Sequence, residues 1–195
     1  KFFGGRVMIN KVIKEEKAIV LDYLPNGYPF DNTPSHRKNA IVQVLGKEHF
    51  VLLELVPKKE IRQLQPGDVI YIGEGKREEI HHILGKLPLE RLTGTAKAEL
   101  IYSVEKLVDE SEKRFVDFFN NSTPLSTRMH QLELLPGLGK KHMWEIIEER
   151  RVEPFKDFVD LKKRVKLLPD PKKIIIHRIM NELKGEEKHR IFVDA

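Results

Sequence analysis

The chain contains no cysteine among its 195 residues. Structural disulfides, thiol nucleophiles and cysteine-ligated zinc sites are therefore excluded, and the composition fits a reducing, intracellular setting. Apolar runs are too short to span a bilayer, and residues 1–6 carry no signal-peptide core. The sequence therefore predicts a cytoplasmic protein without a membrane segment. Because it does not begin with methionine, we expect a few native residues before Lys1.

The chain also lacks a large excess of charge of either sign, since its net charge is only +5. The excess is uneven. Residues 123–195 hold 16 Lys and Arg against 12 Asp and Glu, and residues 1–122 hold 19 against 18. This weak basic bias suits contact with a few phosphates rather than a wide electrostatic surface.

Motifs of the common enzyme classes are missing as well. The eight histidines show neither His-x-x-x-His nor His-Glu-x-x-His spacing. His81 and His82 fall on a predicted strand, where neighbouring side chains point to opposite faces. No phosphate-binding Gly-x-x-x-x-Gly-Lys-Ser/Thr loop and no Gly-x-Ser-x-Gly elbow occurs. The sequence therefore predicts no enzyme, no metal site and no cofactor.

One group of residues suggests a catalytic alternative. Asp170, Glu182 and Lys184 have the residue types of a nuclease site in which carboxylates hold a metal. The segment between them is predicted to be helical, which separates Asp170 and Glu182 by about three turns. That distance argues against a shared ion.

The first part of the chain predicts a small β-barrel. Short apolar segments at residues 18–23, 40–45, 49–55, 69–73 and 80–84 are bounded by turn residues. The Pro-Gly-Asp turn at residues 66–68 before the fourth segment resembles the entry of OB-fold-like barrels. The fold class is therefore α+β, with an OB-fold-like barrel followed by an all-α part.

The connection between the first two strands, residues 24–39, is long for a hairpin link, and we expect it to be functional. Tyr28 and Phe30, with Arg37 and Lys38, would offer stacking faces beside phosphate partners for unpaired nucleotides. The alternative is that the aromatic rings only close one mouth of the barrel.

A long helix is predicted over residues 95–121, where apolar residues recur at helical spacing. Thr123 and Pro124 then have the types of an N-cap and a first helical residue. Leu125, Met129 and Leu132 continue at helical spacing, so a further helix is expected to begin at Pro124.

The most informative segment is residues 134–141, Leu-Leu-Pro-Gly-Leu-Gly-Lys-Lys. Gly137 and Gly139 allow a tight reversal around Leu138, and Lys140 and Lys141 begin the next helix. Free backbone amides and the helix dipole at such a start favour an anion. The segment resembles the helix-hairpin-helix motif of nucleic-acid-binding proteins, in which hairpin amides grip a backbone phosphate. The alternative is an ordinary helix-loop-helix whose glycines serve only as turn formers.

The same unit is echoed 33 residues later. Residues 167–169 repeat Leu-Leu-Pro, and Lys172 and Lys173 repeat the lysine pair after a one-residue deletion. In this alignment Asp170 and Pro171 replace the glycines, so the second hairpin loses most of its anion site. Lys172 and Lys173 could still reach a phosphate through their side chains.

Together these features resemble a family of uncharacterised archaeal proteins that are predicted to bind nucleic acid. The resemblance covers residues 17–183 and is most specific over residues 132–150. It implies three regions: an OB-fold-like barrel over residues 1–94, a connecting helix over residues 95–122, and paired helix-hairpin-helix motifs over residues 123–195. It also implies a non-enzymatic role, RNA rather than DNA as partner, and a link to translation or ribosome maturation. The sequence does not indicate the oligomeric state.

The function expected from the sequence is therefore binding at two sites. The first hairpin would hold backbone phosphate, and the loop with Tyr28 and Phe30 would hold unpaired nucleotides. The alternative is a protein-interaction scaffold in a translation or transcription complex, and an exposed apolar surface around Met143 and Trp144 would favour it.

Overall fold

The computed structural model describes residues 15–30, 32–34 and 38–194. Its first half is a curled antiparallel sheet, a half-barrel, with the strand order β4-β1-β2-β3-β5. The strands are β1 (Lys17–Leu24), β2 (Ile41–Gly46), β3 (Leu52–Pro57), β4 (Val69–Tyr71) and β5 (Ile80–Lys86). The five predicted strand segments are thus confirmed, and the predicted barrel is an open half-barrel.

Both faces of this sheet are buried. Val20, Val44 and Leu55 lie in an apolar cluster inside the curl, and Ile19 and Leu45 face the helices on the other side. Every residue of β2 is buried, because this strand lies in the middle of the sheet. Burial on both faces explains why β2 is almost wholly apolar rather than alternating; its one polar side chain, Gln43, is buried and hydrogen-bonded to the Arg91 carbonyl and the Thr93 amide.

Five α-helices follow the sheet. They are α1 (Gly94–Glu110), α2 (Glu112–Asn121), α3 (Lys140–Val152), α4 (Phe158–Arg164) and α5 (Pro171–Leu183). Thr93 caps α1 and fixes it to the sheet, because its hydroxyl accepts from the Ala96 amide at 3.0 Å and donates to Asp22 Oδ2 at 2.6 Å. One apolar cluster runs from the sheet through all five helices. The three regions predicted with boundaries after residues 94 and 122 therefore share one apolar core.

The helix predicted over residues 95–121 is interrupted at Ser111. Its backbone, at φ −120° and ψ 28°, leaves the helical conformation and ends α1. The change of direction lets Phe115 reach the core, where its ring centroid lies 6.3 Å from that of Phe50 and 5.3 Å from that of Phe192. The apolar spacing continues across the break, so periodicity alone predicts one helix.

The helix predicted to begin at Pro124 is wrong. The segment instead contains the strands β6 (Pro124–Ser126) and β7 (Met129–His130), paired as a hairpin, and a 3-10 turn over Gln131–Leu134. Thr123 closes this hairpin, because its amide donates to Gln131 Oε1 at 2.8 Å and its carbonyl accepts from the Gln131 amide at 3.0 Å. Serine and threonine around Pro124 favour such local hydrogen bonds over helix.

The prediction for His81 and His82 is also wrong. The register of β5 against β3 shifts between Ile80 and His82, which is a β-bulge. Both imidazoles are exposed, and their Nδ1 atoms lie 2.7 Å apart instead of pointing to opposite faces. A bulge adds one residue to the strand and so breaks the alternation of side chains.

Candidate functional site

The first hairpin, residues 134–141, reverses the chain between the 3-10 turn and α3. Gly137 has φ +81°, a conformation that favours glycine. Leu135 and Leu138 on either side are buried in the main core and fix the hairpin to the helices. The Leu138 amide donates to the Leu135 carbonyl at 3.2 Å, so this predicted phosphate donor is already used within the turn.

Four adjacent free amide groups lie at the start of α3, in addition to the Gly137 amide, which has no acceptor among the described residues. Gly139 is the N-cap and has no side chain to accept from the first turn. Among the described residues, the amides of Gly139, Lys140, Lys141 and His142 have no hydrogen-bond acceptor. Because the positive end of the helix dipole lies at the same place, the arrangement suits a phosphate or another anion. The sequence prediction did not include the His142 amide. It belongs to the set because α3 begins at Lys140, which places His142 in the first turn.

Lys140 and Lys141 add positive charge to this helix end. Both side chains are exposed, and within the described part of the chain neither has an ion-pair or hydrogen-bond partner. They remain available to an external anion. The other end of α3 is held by Arg150, which donates to the Phe119 carbonyl at 2.8 Å and to the Ser122 carbonyl at 2.9 Å.

The folded state does not require a glycine at position 139. Its φ of −89° and ψ of 176° suit any residue. A Cβ atom there would meet no described atom within 4 Å. A missing side chain at an open N-cap does allow an external group to approach the backbone closely.

The second hairpin aligns differently from its sequence echo. Leu167, at φ +58°, has the left-handed conformation of Gly137, and the buried Leu168 follows it as the buried Leu138 follows Gly137. The structural offset is therefore 30 residues at the turn, not 33. The repeated Leu-Leu-Pro letters are out of structural register by three residues.

The start of α5 is already satisfied by the chain itself. Asp170 is the N-cap and accepts from the Lys172 amide at 3.0 Å. Pro171, the first helical residue, has no amide hydrogen. A carboxylate therefore occupies the end of α5 that corresponds to the open end of α3. The negative charge of Asp170 and the missing amide hydrogen of Pro171 still disfavour an anion here, as the sequence predicts. Asp170, however, is the N-cap of α5 and does not occupy the turn position of Gly137.

The second lysine pair is divided between two roles. Lys172 Nζ lies 2.7 Å from Asp109 Oδ1 on α1, and this hydrogen-bonded pair raises the pKa of Lys172. Lys173 is exposed and has no partner among the described residues. It lines a cavity of about 380 Å³ together with Gly137 and Asp170. The structure therefore brings Lys173, but not a free Lys172, beside the first hairpin.

The loop between β1 and β2 is fastened to the sheet. The Tyr28 hydroxyl donates to Glu54 Oε2 and accepts from Gln43 Nε2 at 2.9 Å. The Arg91 guanidinium carbon lies 5.5 Å from the centre of the Tyr28 ring, and Lys38 Nζ donates to the Tyr28 carbonyl at 2.6 Å. Tyr28 and Lys38 thus serve the loop's own structure.

Of the other two residues predicted in this loop, Phe30 is 96% exposed. Its ring has the accessibility that stacking on a base requires. Arg37 lies outside the described residues. The aromatic surface predicted for this loop is therefore limited to Phe30 among the residues that the structure describes.

The Tyr28 hydroxyl should make stability depend on alkaline pH. Burial, followed by the hydrogen bond to Glu54, raises the pKa of Tyr28 from 10.0 to about 12. The folded state holds this proton more tightly, so the contribution is complete below pH 10 and is lost as the pH rises towards about 12. We expect Tyr28→Phe to reduce the loss of stability in that range. Urea denaturation at several pH values measures it, and identical pH profiles for the two proteins would contradict the assignment.

The carboxylates of the nuclease-like residue set, Asp170 and Glu182, stabilise the fold. Glu182 is buried and accepts from Arg178 Nε at 2.8 Å and from the Phe192 amide at 2.9 Å, while Asp170 caps α5. Among residues 15–30, 32–34 and 38–194, no three His, Asp or Glu side chains are grouped to hold a metal ion. The two carboxylates therefore have structural partners.

A groove lies beside α3, between this helix and the β6–β7 hairpin. Trp144 is 56% exposed in it, whereas Met143 is buried in the core. Met129 of β7 contributes to the same groove, which has a volume of about 570 Å³. The exposed apolar surface expected around residues 143 and 144 is thus formed by Trp144 and not by Met143. We call it the Trp144 groove.

Comparison with known proteins identifies the family. A family model described as "Protein of unknown function (DUF655)" matches residues 14–194. The chain is 44% identical over 179 residues to "Uncharacterized protein MJ0038" of Methanocaldococcus jannaschii, which covers 92% of this chain and 79% of that protein. The crystal structure of Af1531 from Archaeoglobus fulgidus is similar, with a TM-score of 0.81 and 45% identity, over 92% of this chain and 100% of the solved chain. In the described part of the chain, no helix is long and apolar enough to cross a membrane. The protein belongs to the DUF655 family of archaeal proteins.

Proposed function

We propose that this protein binds nucleic acid, RNA rather than DNA, by holding a backbone phosphate at the start of α3. The observation that carries the proposal is the contrast between two helix ends. Judged by the part of the chain that the structure describes, α3 begins at an open glycine with four free amides and two unpaired lysines, whereas α5 begins at a carboxylate that occupies its own first turn. An anion is therefore attracted to one end and repelled from the other.

The relation between the two hairpins supports a paired helix-hairpin-helix arrangement. A Cβ atom at Gly137 would lie 3.9 Å from the Pro169 ring, so the turns are neighbours. Lys173 is exposed beside the first hairpin and adds a cation close to the proposed phosphate site. In this arrangement the second hairpin supports the first and contributes charge but no amides.

The half-barrel supports the OB-fold-like part of the proposal. Its order β4-β1-β2-β3 brings the fourth strand beside the first, which is the Greek-key order. An OB-fold is a partly open Greek-key barrel of five strands. The exposed Phe30 at the β1–β2 loop is the one described aromatic of that loop available to unpaired nucleotides.

The proposed contact does not read base sequence, because phosphates carry no base code. We therefore propose a non-enzymatic binder of RNA backbone, acting in translation or ribosome maturation. RNA and DNA duplexes both present phosphates, so the preferred target has to be measured directly. A filter-binding titration with duplex RNA, duplex DNA and single strands compares their affinities. Equal affinity for all three would contradict the preference for RNA.

Binding should weaken steeply with salt. The α3 site and the neighbouring lysines neutralise about three to five phosphates, so the logarithm of the binding constant should fall with the logarithm of salt with a slope of roughly −3 to −4. Filter binding of a short RNA duplex over a series of NaCl concentrations measures the slope. A slope near zero would exclude the electrostatic mechanism.

A second function, a protein-interaction scaffold, is favoured by the exposure of Trp144. An aromatic side chain that is 56% exposed beside a groove is typical of binding surfaces. A scaffold of this kind would bind a protein partner without affinity for RNA. The salt-dependent RNA titration therefore distinguishes the two functions directly.

A further inference from the structure

The Trp144 groove adjoins the proposed phosphate site. Trp144 follows Lys140 by four residues on α3, so the two side chains lie on one face, about 6 Å apart along the axis. Lys140 belongs both to the first turn of α3 and to the lining of the groove. The Trp144 ring is therefore within one helical turn of the α3 amides, close enough for a nucleotide that adjoins a phosphate held there.

The surfaces of the groove are apolar where a flat ring would lie. Trp144 is 56% exposed and Met129 is 41% exposed, while Ile147 is buried beneath them. A volume of about 570 Å³ is in the range of sites for small organic groups, and a nucleobase fits within it. Stacking on an indole is the strongest contact that such a surface offers to a base.

The charges of the groove favour a nucleic acid over an apolar peptide. Arg128 and Lys140 line it, and neither has an ion-pair partner among the described residues. The acid in the lining, Glu133, already accepts from the His130 amide at 2.8 Å. Two free cations beside an exposed aromatic ring match one base and its flanking phosphates.

His130 keeps a fixed place in the wall of the groove and adds no charge. Burial lowers its pKa, and the nearby Arg150 lowers it further. Its Nδ1 accepts from the Leu132 amide at 3.1 Å, which fixes the ring. The positive charge of the groove therefore comes from Arg128 and Lys140 at neutral pH.

We propose that the Trp144 groove takes an unpaired nucleobase of the strand whose phosphate is held at the start of α3, with the base stacked on the indole ring. The proposal rests on the proposed function and deepens it. It places recognition of unpaired nucleotides next to the duplex contact, on the same helix. A junction between paired and unpaired RNA is then the preferred substrate class.

The test uses the one tryptophan of the chain as its own reporter. The probes are a short blunt RNA duplex, the same duplex with a short single-stranded overhang, and that duplex with an abasic overhang. The abasic probe keeps the phosphates and removes the bases. We expect the overhang with bases to bind about tenfold more tightly than the other two and to quench Trp144 fluorescence.

Three variants accompany the probes. Trp144→Ala should remove the gain from the overhang, and Trp144→Phe should retain part of it. Val152→Ala is the matched control, because Val152 is an apolar residue of the same helix that is 85% exposed. Thermal unfolding of each variant checks the fold, and Trp144→Phe tests stacking even where Trp144→Ala lowers stability.

Each outcome separates this inference from the proposed function. Equal affinity for the abasic and base-containing overhangs, with blunt duplex still bound, would overturn the base site and leave phosphate binding intact. An unchanged gain in Trp144→Ala would also overturn it, because the overhang would then be bound somewhere other than the Trp144 ring. No binding of any probe would instead contradict the proposed function itself.

Discussion

Gly139→Asp should weaken binding of duplex RNA about a hundredfold while the protein stays folded. The aspartate would accept from the first-turn amides of α3 and place a negative charge where the phosphate is proposed to lie, as Asp170 does at α5. Charge-assisted hydrogen bonds are worth about 1.5–3 kcal/mol, and every 1.4 kcal/mol is about tenfold in affinity. Filter binding measures the loss.

The same substitution should leave stability equal or slightly higher. Aspartate is a better N-cap than glycine by a few tenths of a kcal/mol, and the Cβ atom meets open space. Stability and binding therefore move in opposite directions, which a damaged fold cannot produce.

Gly94→Asp is the matched control. Gly94 begins α1, and a Cβ atom there also meets no described atom within 4 Å. The substitution adds the same charge at another helix start. We expect its affinity for RNA to stay within about twofold of the parent protein, since a single added surface charge has a small effect. Equal losses in both variants would show that net charge, not the α3 site, determines binding.

Glu182→Ala should lower the free energy of unfolding by about 3–5 kcal/mol. The Glu182 side chain has 0% exposure, and its carboxylate accepts from the amides of Ile191, Phe192 and Val193 and from Arg178 Nε. Its removal would leave the buried Arg178 with Glu187, at 3.0 Å, as its ion-pair partner among the described residues, and three amides without an acceptor. Urea denaturation measures the change.

The effect should extend to the first hairpin. Arg178 Nη1 donates to the Leu134 carbonyl at 2.9 Å, so the buried pair joins the C-terminal segment to the start of the hairpin. Glu186→Ala, in an exposed position nearby, is the control and should change stability by less than about 0.5 kcal/mol. A loss below about 1 kcal/mol for Glu182→Ala would contradict this account of the pair.

The features that the sequence predicted correctly are local ones. The strands follow from short branched runs between turn residues, and β2 is recognisable because it is buried on both faces and apolar except for Gln43. The start of α3 follows from the change at Gly139 from turn residues to a periodic apolar stripe. Both depend on neighbours in the chain, which the sequence shows directly.

The features that it missed depend on small departures from regular patterns. Ser111 interrupts a helix without disturbing its apolar period, and the segment after Thr123 has helical spacing but prefers local hydrogen bonds. Phe50, at φ +54°, turns the chain, so β3 begins at Leu52 and not at His49. The apolar periodicity of a segment does not reveal a single residue whose backbone departs from the regular helix or strand conformation.

The turn at Gly137 and the helix start at Gly139 could be predicted from the sequence, whereas the hydrogen bonds of the candidate site needed the three-dimensional structure. The donation from the Leu138 amide to Leu135 removes one predicted phosphate donor, and the left-handed Leu167 shows that matching letters do not occupy matching positions. The pairing of Lys172 with Asp109 joins residues 63 positions apart in the chain. Such non-local partners leave no local signal in a single sequence.

The most direct test of phosphate binding at α3 is an amide NMR titration with a short blunt RNA duplex at low salt. At 22.8 kDa the protein is suited to proton–nitrogen correlation spectra. We predict the largest shifts at the amides of Gly139, Lys140, Lys141 and His142, with smaller shifts in the first turn of α5, where Lys173 contributes a side-chain charge but no free amide site. Binding that leaves these four amides unshifted, with the largest changes elsewhere, would contradict the account.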